Sequence, residues 1–403
     1  MRPLPALHDQ ALDLDHNATA PLHPLAIAAM RLALDRDPGN PSSTHGRGQA
    51  GRALVEQARR QLATVLGAAP NELALTSGAT ESNVLAWRGV LEPLIAAGRR
   101  PAILTSAVEH ASVRALAAEY RGRGLPVHEL GVDHRGQWRM HELPVLLRDA
   151  EPGLVSLIWV NNETGVIHPV GAAALAVRGV SRGAVVHCDA TQAVGRIPVD
   201  VGALGADLLS ISGHKFGGPK GVGALWVRSG APIAAVAPGH QELALRAGTE
   251  NVLGIAGMGA AATTVAERLQ AMAANRVWRD ALWQQLRELG ADRNADVAEH
   301  DETGHVLNLS FHGVAAPLLV MALDLAGLQA SAGSACASGT LEPSHVQLAM
   351  HGDSDSGLRR AKSALRLSLG PGFDRAALDR AVGIFHQVVP RLRMHLAQSL
   401  GQP

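Results

Sequence analysis

"AVVHCDATQAVGRIPVDVGALGADLLSISGHKFGGPKGVGALWV", residues 184–227, holds three short apolar runs separated by turn-rich stretches. "AVVHCD" (184–189), "ADLLSIS" (206–212) and "VGALWV" (222–227) each have the length and bounding turn residues of a buried strand. Upstream, "ELALT" (72–76), "PAILTS" (101–106) and "GLVSLIWV" (153–160) repeat the pattern, with Ala-rich helical segments such as 52–66 and 170–182 between. Strands alternating with helices predict an α/β fold with a mostly parallel sheet covered on both faces. Near Asn251 the character changes. A long Ala/Arg/Leu stretch at about 251–289 reads as a connecting helix. It is followed by a strand at "HVLNLSF" (305–311), a helix near 315–326, a strand at "ALRLSLG" (364–370) and a closing helix near 374–398. The expected division is a large domain, 16–255, and a smaller α+β domain, 256–403, joined by residues 1–15. No 20–50-residue repeat is visible, which excludes solenoids.

Composition narrows the function classes. The 403 residues are 47% hydrophobic and 18% charged, as in ordinary globular proteins, and Lys plus Arg equals Asp plus Glu at 36 each. Without a basic block, no nucleic-acid partner is expected. The N-terminal "MRPLPALHDQALDLD" lacks the apolar run of a signal peptide, and no stretch is apolar for long enough to span a membrane. A cytoplasmic setting follows, and the N-x-[ST] matches at Asn17, Asn162 and Asn308 are read as chance. The two cysteines cannot build a disulfide framework, and the nineteen histidines form no Cys/His cluster with zinc spacing.

Chemistry concentrates at strand ends. Lys215 in "ISGHKFGGPKG" follows a strand and is flanked by Ser212, His214 and a glycine run. A solvated lysine on a surface turn explains it. So does a Schiff-base lysine with phosphate donors beside it, whereas a P-loop is excluded because no G-x-x-x-x-G-K-[ST] occurs. A pyridoxal phosphate site needs an acid against the pyridine nitrogen, and Asp189 ends the preceding strand, with Gln192 three residues on. Asp189 is equally a possible helix cap. "ALTSGATES" (74–82) runs from a strand into a helix whose first turn holds Ala79 and Thr80, which suits a phosphate or an ordinary capping box with Glu81. His110 in "SAVEHAS" follows another strand, as a structural histidine or as a ring-stacking proton shuttle. Of the thiols, Cys188 sits in an apolar strand and reads as packing. Cys336 lies in "SAGSACASG" (331–339), where nothing bulky surrounds it.

In chain order, "LDHNATAPLHP" (14–24), "GNPSSTHGRG" (39–48), "TSGATESN", "EHASV", "VNNETGV" (160–166), "HCDATQ", "SGHKFGGPKG", "RAGTEN" (246–251), "SAGSACASGTLEPSHV" (331–346) and "LRLSLG" (365–370) together resemble one family. It is the pyridoxal-phosphate cysteine desulfurases of the NifS/IscS type, in the aminotransferase class V group. The resemblance implies an aspartate aminotransferase-like large domain and pyridoxal 5'-phosphate as cofactor. It implies that Lys215 anchors the cofactor, Asp189 pairs with the ring nitrogen, Gln192 contacts the phenolic oxygen and His110 stacks on the ring. Ala79, Thr80, Ser212 and His214 would hold the phosphate, with Thr249 supplied by a second subunit of a homodimer. Asn162 and Arg366 would receive L-cysteine, the guanidinium forking its carboxylate. Cys336 would be the nucleophile, on a loop of small residues able to reach the cofactor, leaving alanine and an enzyme persulfide. The longer form of that loop suits delivery of sulfur to an acceptor such as an iron–sulfur scaffold protein. Cys336 would then transiently ligate a nascent cluster, with no metal in the cofactor site. Which pathway is served, nitrogenase clusters, general iron–sulfur assembly or tRNA thiolation, stays open. Ala20, Val84, Pro238, His240 and Pro371 depart from the usual pattern and bear on loop geometry and partner choice. The alternatives are a selenocysteine lyase or another class V enzyme, and a catalytically silent sulfur carrier on the same fold.

Overall fold

The computed structural model describes residues 11–150, 152–181, 183–333 and 342–399. Seven strands form the large sheet: β1 (Leu73–Thr76), β2 (Ala102–Ser106), β3 (Val127–Leu130), β4 (Pro152–Ile158), β5 (Val185–Asp189), β6 (Leu208–Ser212) and β7 (Gly223–Val227). Their order is β1-β7-β6-β5-β4-β2-β3. The pairs from β6 through β3 are parallel, while β7 runs antiparallel to both β6 and β1. The expected mostly parallel sheet is therefore present, with its antiparallel pairs at one end and β3 as the strand that the sequence patterning did not single out.

Both faces of this sheet are covered, which is why its strands read as continuous apolar runs rather than alternating ones. Ile103, Leu154, Val185, Leu208 and Leu225 face one core with Trp87 and Tyr120. Their chain neighbours Leu104, Val155, Val186 and Leu209 face the other, and so does Cys188. Burial, with the Asp189 and Glu109 carboxyls nearby, pushes the Cys188 thiol well up, so it stays protonated and packs as a hydrophobe.

A second, four-stranded antiparallel sheet contains β8 (Ala291–Arg293), β9 (Val306–Phe311), β10 (Ser331–Ala332) and β11 (Ala364–Ser368), in the order β10-β11-β9-β8. Its own core joins Leu307, Leu309, Phe311, Leu365 and Leu367 to Leu319, Leu323 and Phe385 on helices Ala316–Leu325 and Arg375–Ser399. Leu12–Asp13 pairs in parallel with Leu328–Gln329, tying the N-terminal residues to this smaller unit.

The stretch expected as one connecting helix is two, Val252–Ala262 and Val265–Leu286. The hydroxyls of Thr263 and Thr264 donate to the carbonyls of Ala260 and Ala261 at 2.7 and 2.8 Å, and Thr264 leaves helical dihedrals (φ −98, ψ 2). Back-bonding threonines compete with the helix ladder and bend it. A Cβ on Gly259 would lie 2.5 Å from Ala58, so the first segment needs that glycine to sit against helix Gly46–Leu66.

Candidate active site

The carboxyl ends of β1, β2, β4, β5 and β6 lie along one edge of the large sheet, where open α/β sheets place their ligands. A cavity of about 380 Å³ opens there. Ala79, Thr80, His110, Asn162, Asp189 and Gln192 line it, together with Ser212, His214, Lys215 and Arg366. Thr249 lines a separate hollow of about 340 Å³, next to Asn40, whose amide donates to the Thr249 hydroxyl at 3.4 Å. Cys336 lies outside the described residues.

Lys215 ends a single 3-10 turn, Gly213–Lys215, directly after β6. Gly217 holds a positive φ of 95°, and a Cβ on Gly218 would lie 2.9 Å from the Gly213 carbonyl, so only glycines fold the chain this tightly. Segment 17–23 lies against the turn: Ala20 N–H donates to His214 O at 2.9 Å and His23 N–H to Gly217 O at 2.8 Å. The Lys215 ammonium therefore donates to the carbonyls of Asn17 and Ala18 at 2.7 and 2.9 Å. The Asn17 carbonyl also accepts from Gln192 Nε2 at 3.1 Å, leaving the buried Gln192 Oε1 without a protein partner. Lys220 joins the same wall. Asn17, Ala18 and Lys220 were not among the residues singled out from sequence.

Asp189 is buried at the end of β5, where its Oδ1 accepts from Thr191 N–H and its Oδ2 from Asn83 Nδ2, both at 3.0 Å. His110 caps helix Ala111–Gly122, its Nδ1 accepting from the Ser112 backbone N–H at 3.2 Å. Beside it, Glu109 is fully buried, held by the Ser106 hydroxyl at 2.5 Å and Ile158 N–H at 2.9 Å. Burial pushes its carboxyl up to about 8, with a smaller push from Asp189.

The N-terminus of helix Ala79–Ala96 has no side-chain cap. Gly78 stands at the cap position with φ 152 and ψ 177, a region open to glycine alone. Ala79 and Thr80 of its first turn line the cavity, as do Ser212 and His214, and the first N–H groups of a helix have no partner within it. Burial, then the charges of Lys215 and Lys220, lower His214 to about 4, so its ring is neutral at physiological pH, with Nδ1 3.0 Å from the Thr19 hydroxyl. From the smaller sheet, β11 contributes Arg366, 1% exposed. One arm donates to Asn162 O at 3.0 Å and another pairs with Asp15 at 2.7 Å, leaving Nε without a protein partner. Among the described residues no cluster of His, Cys, Asp and Glu is arranged to hold a metal ion, and no helix is long and apolar enough to cross a membrane.

The chain is similar to known proteins over most of its length. The chain is 40% identical over 384 residues to a cysteine desulfurase of Cereibacter sphaeroides, covering 94% of this chain and 96% of the relative. It is 38% identical to an IscS-like cysteine desulfurase of Mycobacterium tuberculosis, over 94% of this chain and 96% of that one. Among solved structures, a NifS-like protein superposes with a TM-score of 0.86 at 32% identity, covering 95% of this chain and 100% of the other. DndA from Streptomyces lividans superposes with a TM-score of 0.72 at 36% identity, over 87% and 97%. The family model described as Aminotransferase class-V matches residues 13–380, and the chain accordingly belongs to that family of pyridoxal-phosphate-dependent enzymes.

Proposed function

We propose that the protein is a cysteine desulfurase, converting L-cysteine to L-alanine with transfer of sulfur to Cys336. The observation that carries the reading is the convergence of Lys215, Asp189, His110 and Arg366 on one cavity, from chain segments more than 250 residues apart at the extremes. The cavity suits pyridoxal 5'-phosphate on its own chemistry. It has an uncapped helix N-terminus with a glycine that keeps side-chain bulk out, a buried Gln192 amide whose nitrogen has a second hydrogen beyond the one given to Asn17 O, and an amine and a carboxylate as separate anchors. Ala79, Thr80, Ser212 and His214 would hold the phosphate, Asp189 the ring nitrogen, Gln192 the phenolic oxygen and Lys215 the aldehyde carbon. When bound, the cofactor supplies an electron-accepting ring that weakens bonds at the substrate's α- and β-carbons.

The chain's own groups do the rest. Arg366, oriented by Asp15 and the Asn162 carbonyl, presents its remaining donors to the substrate carboxylate. Lys215 Nζ and the His110 ring move the α-proton. The Cys336 thiolate attacks the substrate sulfur: an S–S bond forms, the C–S bond breaks, and its electron pair stays with the carbon that becomes the methyl of alanine after protonation. An external thiol then reduces the persulfide. A free thiol is only a few per cent ionised at neutral pH, so Cys336 needs a base or a positive local field. By the same reading the enzyme is a homodimer, with Thr249 reaching the partner's cavity. Residues 16–255 form the cofactor-binding domain and 256–403, with 1–15, the smaller one, and a sulfur-acceptor or iron–sulfur scaffold protein takes the cargo.

Purified protein loaded with cofactor and given L-cysteine and a reductant without oxygen should yield alanine and sulfide in equal amounts. Cys336→Ala should lose both while keeping the cofactor's colour. Alanine release untouched by that substitution would overturn the assignment. Selenocysteine or a keto acid as the better substrate would favour the selenocysteine lyase or aminotransferase reading.

A further inference from the structure

One amide joins the two groups that this reading sets against the cofactor ring. Asn83 lies in the second turn of helix Ala79–Ala96, 1% exposed. Its Nδ2 donates to Asp189 Oδ2 and to Ser112 Oγ, each at 3.0 Å. An amide nitrogen carries two hydrogens, so both are used. Ser112 Oγ, already accepting from Asn83, keeps its own hydrogen for His110 Nδ1 at 2.8 Å, the atom that also accepts the Ser112 backbone N–H. Because Nδ1 accepts the Ser112 backbone N–H it carries no hydrogen, so the hydroxyl donates to it while its oxygen accepts from Asn83. Turning the amide over would set its oxygen against the Asp189 carboxylate.

Stability alone does not account for this residue. Asn83 Oδ1 is buried without a partner, which costs free energy that an apolar side chain of similar size would not incur. Nor is Asp189 held by the amide alone, since Thr191 N–H fixes its other oxygen. Asn83 completes a two-point grip that leaves the carboxylate one orientation. We propose that Asn83 is a positioning residue for cofactor binding and catalysis: it locks the Asp189 carboxylate directly and the His110 ring through Ser112. The proposal rests on the cavity being the pyridoxal phosphate site, and it assigns the two arms different consequences. Loss of Asn83 disturbs both, whereas loss of the Ser112 hydroxyl disturbs His110 only.

The test uses full-length apoprotein titrated with pyridoxal 5'-phosphate, reading the dissociation constant and the absorption spectrum of the bound cofactor, followed by steady-state kinetics. Asn83→Leu should bind about tenfold more weakly, the scale of one lost charge-assisted hydrogen bond, with a shifted spectrum. Asn83→Asp keeps the shape but turns a donor into a carboxylate facing Asp189, and should weaken binding at least as much. It also serves if the leucine variant does not fold. Ser112→Ala should bind the cofactor as the parent does, with kcat lowered and KM unchanged, and Ser112→Thr should restore kcat. Parental affinity and spectrum in either Asn83 variant would overturn the proposal. A parent apoprotein that takes up no cofactor would instead overturn the reading of the cavity.

Discussion

A carboxyl group with no water around it holds its proton, and Glu109 is the clearest instance here. Its folded value of about 8 stands above the ordinary 4.5 because burial outweighs the donors from Ser106 and Ile158. The folded chain thus keeps a proton that the unfolded chain gives up, and stability contributed by this group falls as pH rises from about 4.5 to about 8. Glu109→Gln removes that penalty while keeping an oxygen for both donors. It should raise the unfolding free energy more at pH 8 than at pH 5, by on the order of a few kcal/mol at the upper end. An equal shift at both pH values would contradict the burial argument. Arg366 allows a second residue-level expectation. Because its fork is planar and already oriented by Asp15, Arg366→Lys should lower kcat/KM by about a hundredfold with cofactor loading unchanged. Side chains such as Lys215, Asp189 and His110 were legible because each lies at or within a turn of the end of an apolar run that had to be a strand. Asn17 and Ala18 were not. They act through backbone carbonyls, which carry no residue identity, and they meet Lys215 across about two hundred residues of chain.

At the scale of elements, helix starts and strand edges carry the remaining strain. Gly78 opens the helix beneath the expected phosphate. A Cβ there would meet nothing closer than Ser212 Oγ at 3.8 Å, so any cost of Gly78→Ala is backbone strain rather than a clash. That strain is about 1–3 kcal/mol, and relieving it turns the first N–H groups away, so cofactor affinity should drop with it in an apoprotein titration. A second element is the left-handed turn Glu242–Ala244, three successive non-glycine residues at positive φ. Glu242 is the reason it holds. Its carboxylate takes both arms of buried Arg59, at 2.8 and 2.9 Å, and Leu75 N–H of the edge strand at 2.6 Å. Glu242→Ala leaves the buried Arg59 only Glu56, at 3.1 Å, and the Leu73 carbonyl as partners, and should cost about 2–3 kcal/mol, read by thermal or denaturant unfolding. Strand periodicity was legible because the buried sheet demands it. The helix break at Thr263–Thr264 was not, since threonine alone rarely stops a helix and the bend depends on what each half packs against.

For the whole molecule, function depends on two sheets with separate cores contributing to one cavity. The large sheet brings Asp189, Gln192, Lys215 and the helix start, and the smaller one brings Arg366 on β11. The alternation of strands and helices made this division readable in outline, while the register that sets Arg366 beside Asn162 and Asp15 is a three-dimensional fact. The central claim is that this cavity removes sulfur from cysteine and passes it to Cys336. The most direct measurement is one turnover without reductant, with alanine counted and the intact protein weighed and mapped by mass spectrometry. One alanine per cofactor site and one added sulfur atom localised to Cys336 are expected. Alanine formed with no sulfur on Cys336, or no alanine from fully loaded enzyme, would contradict the account.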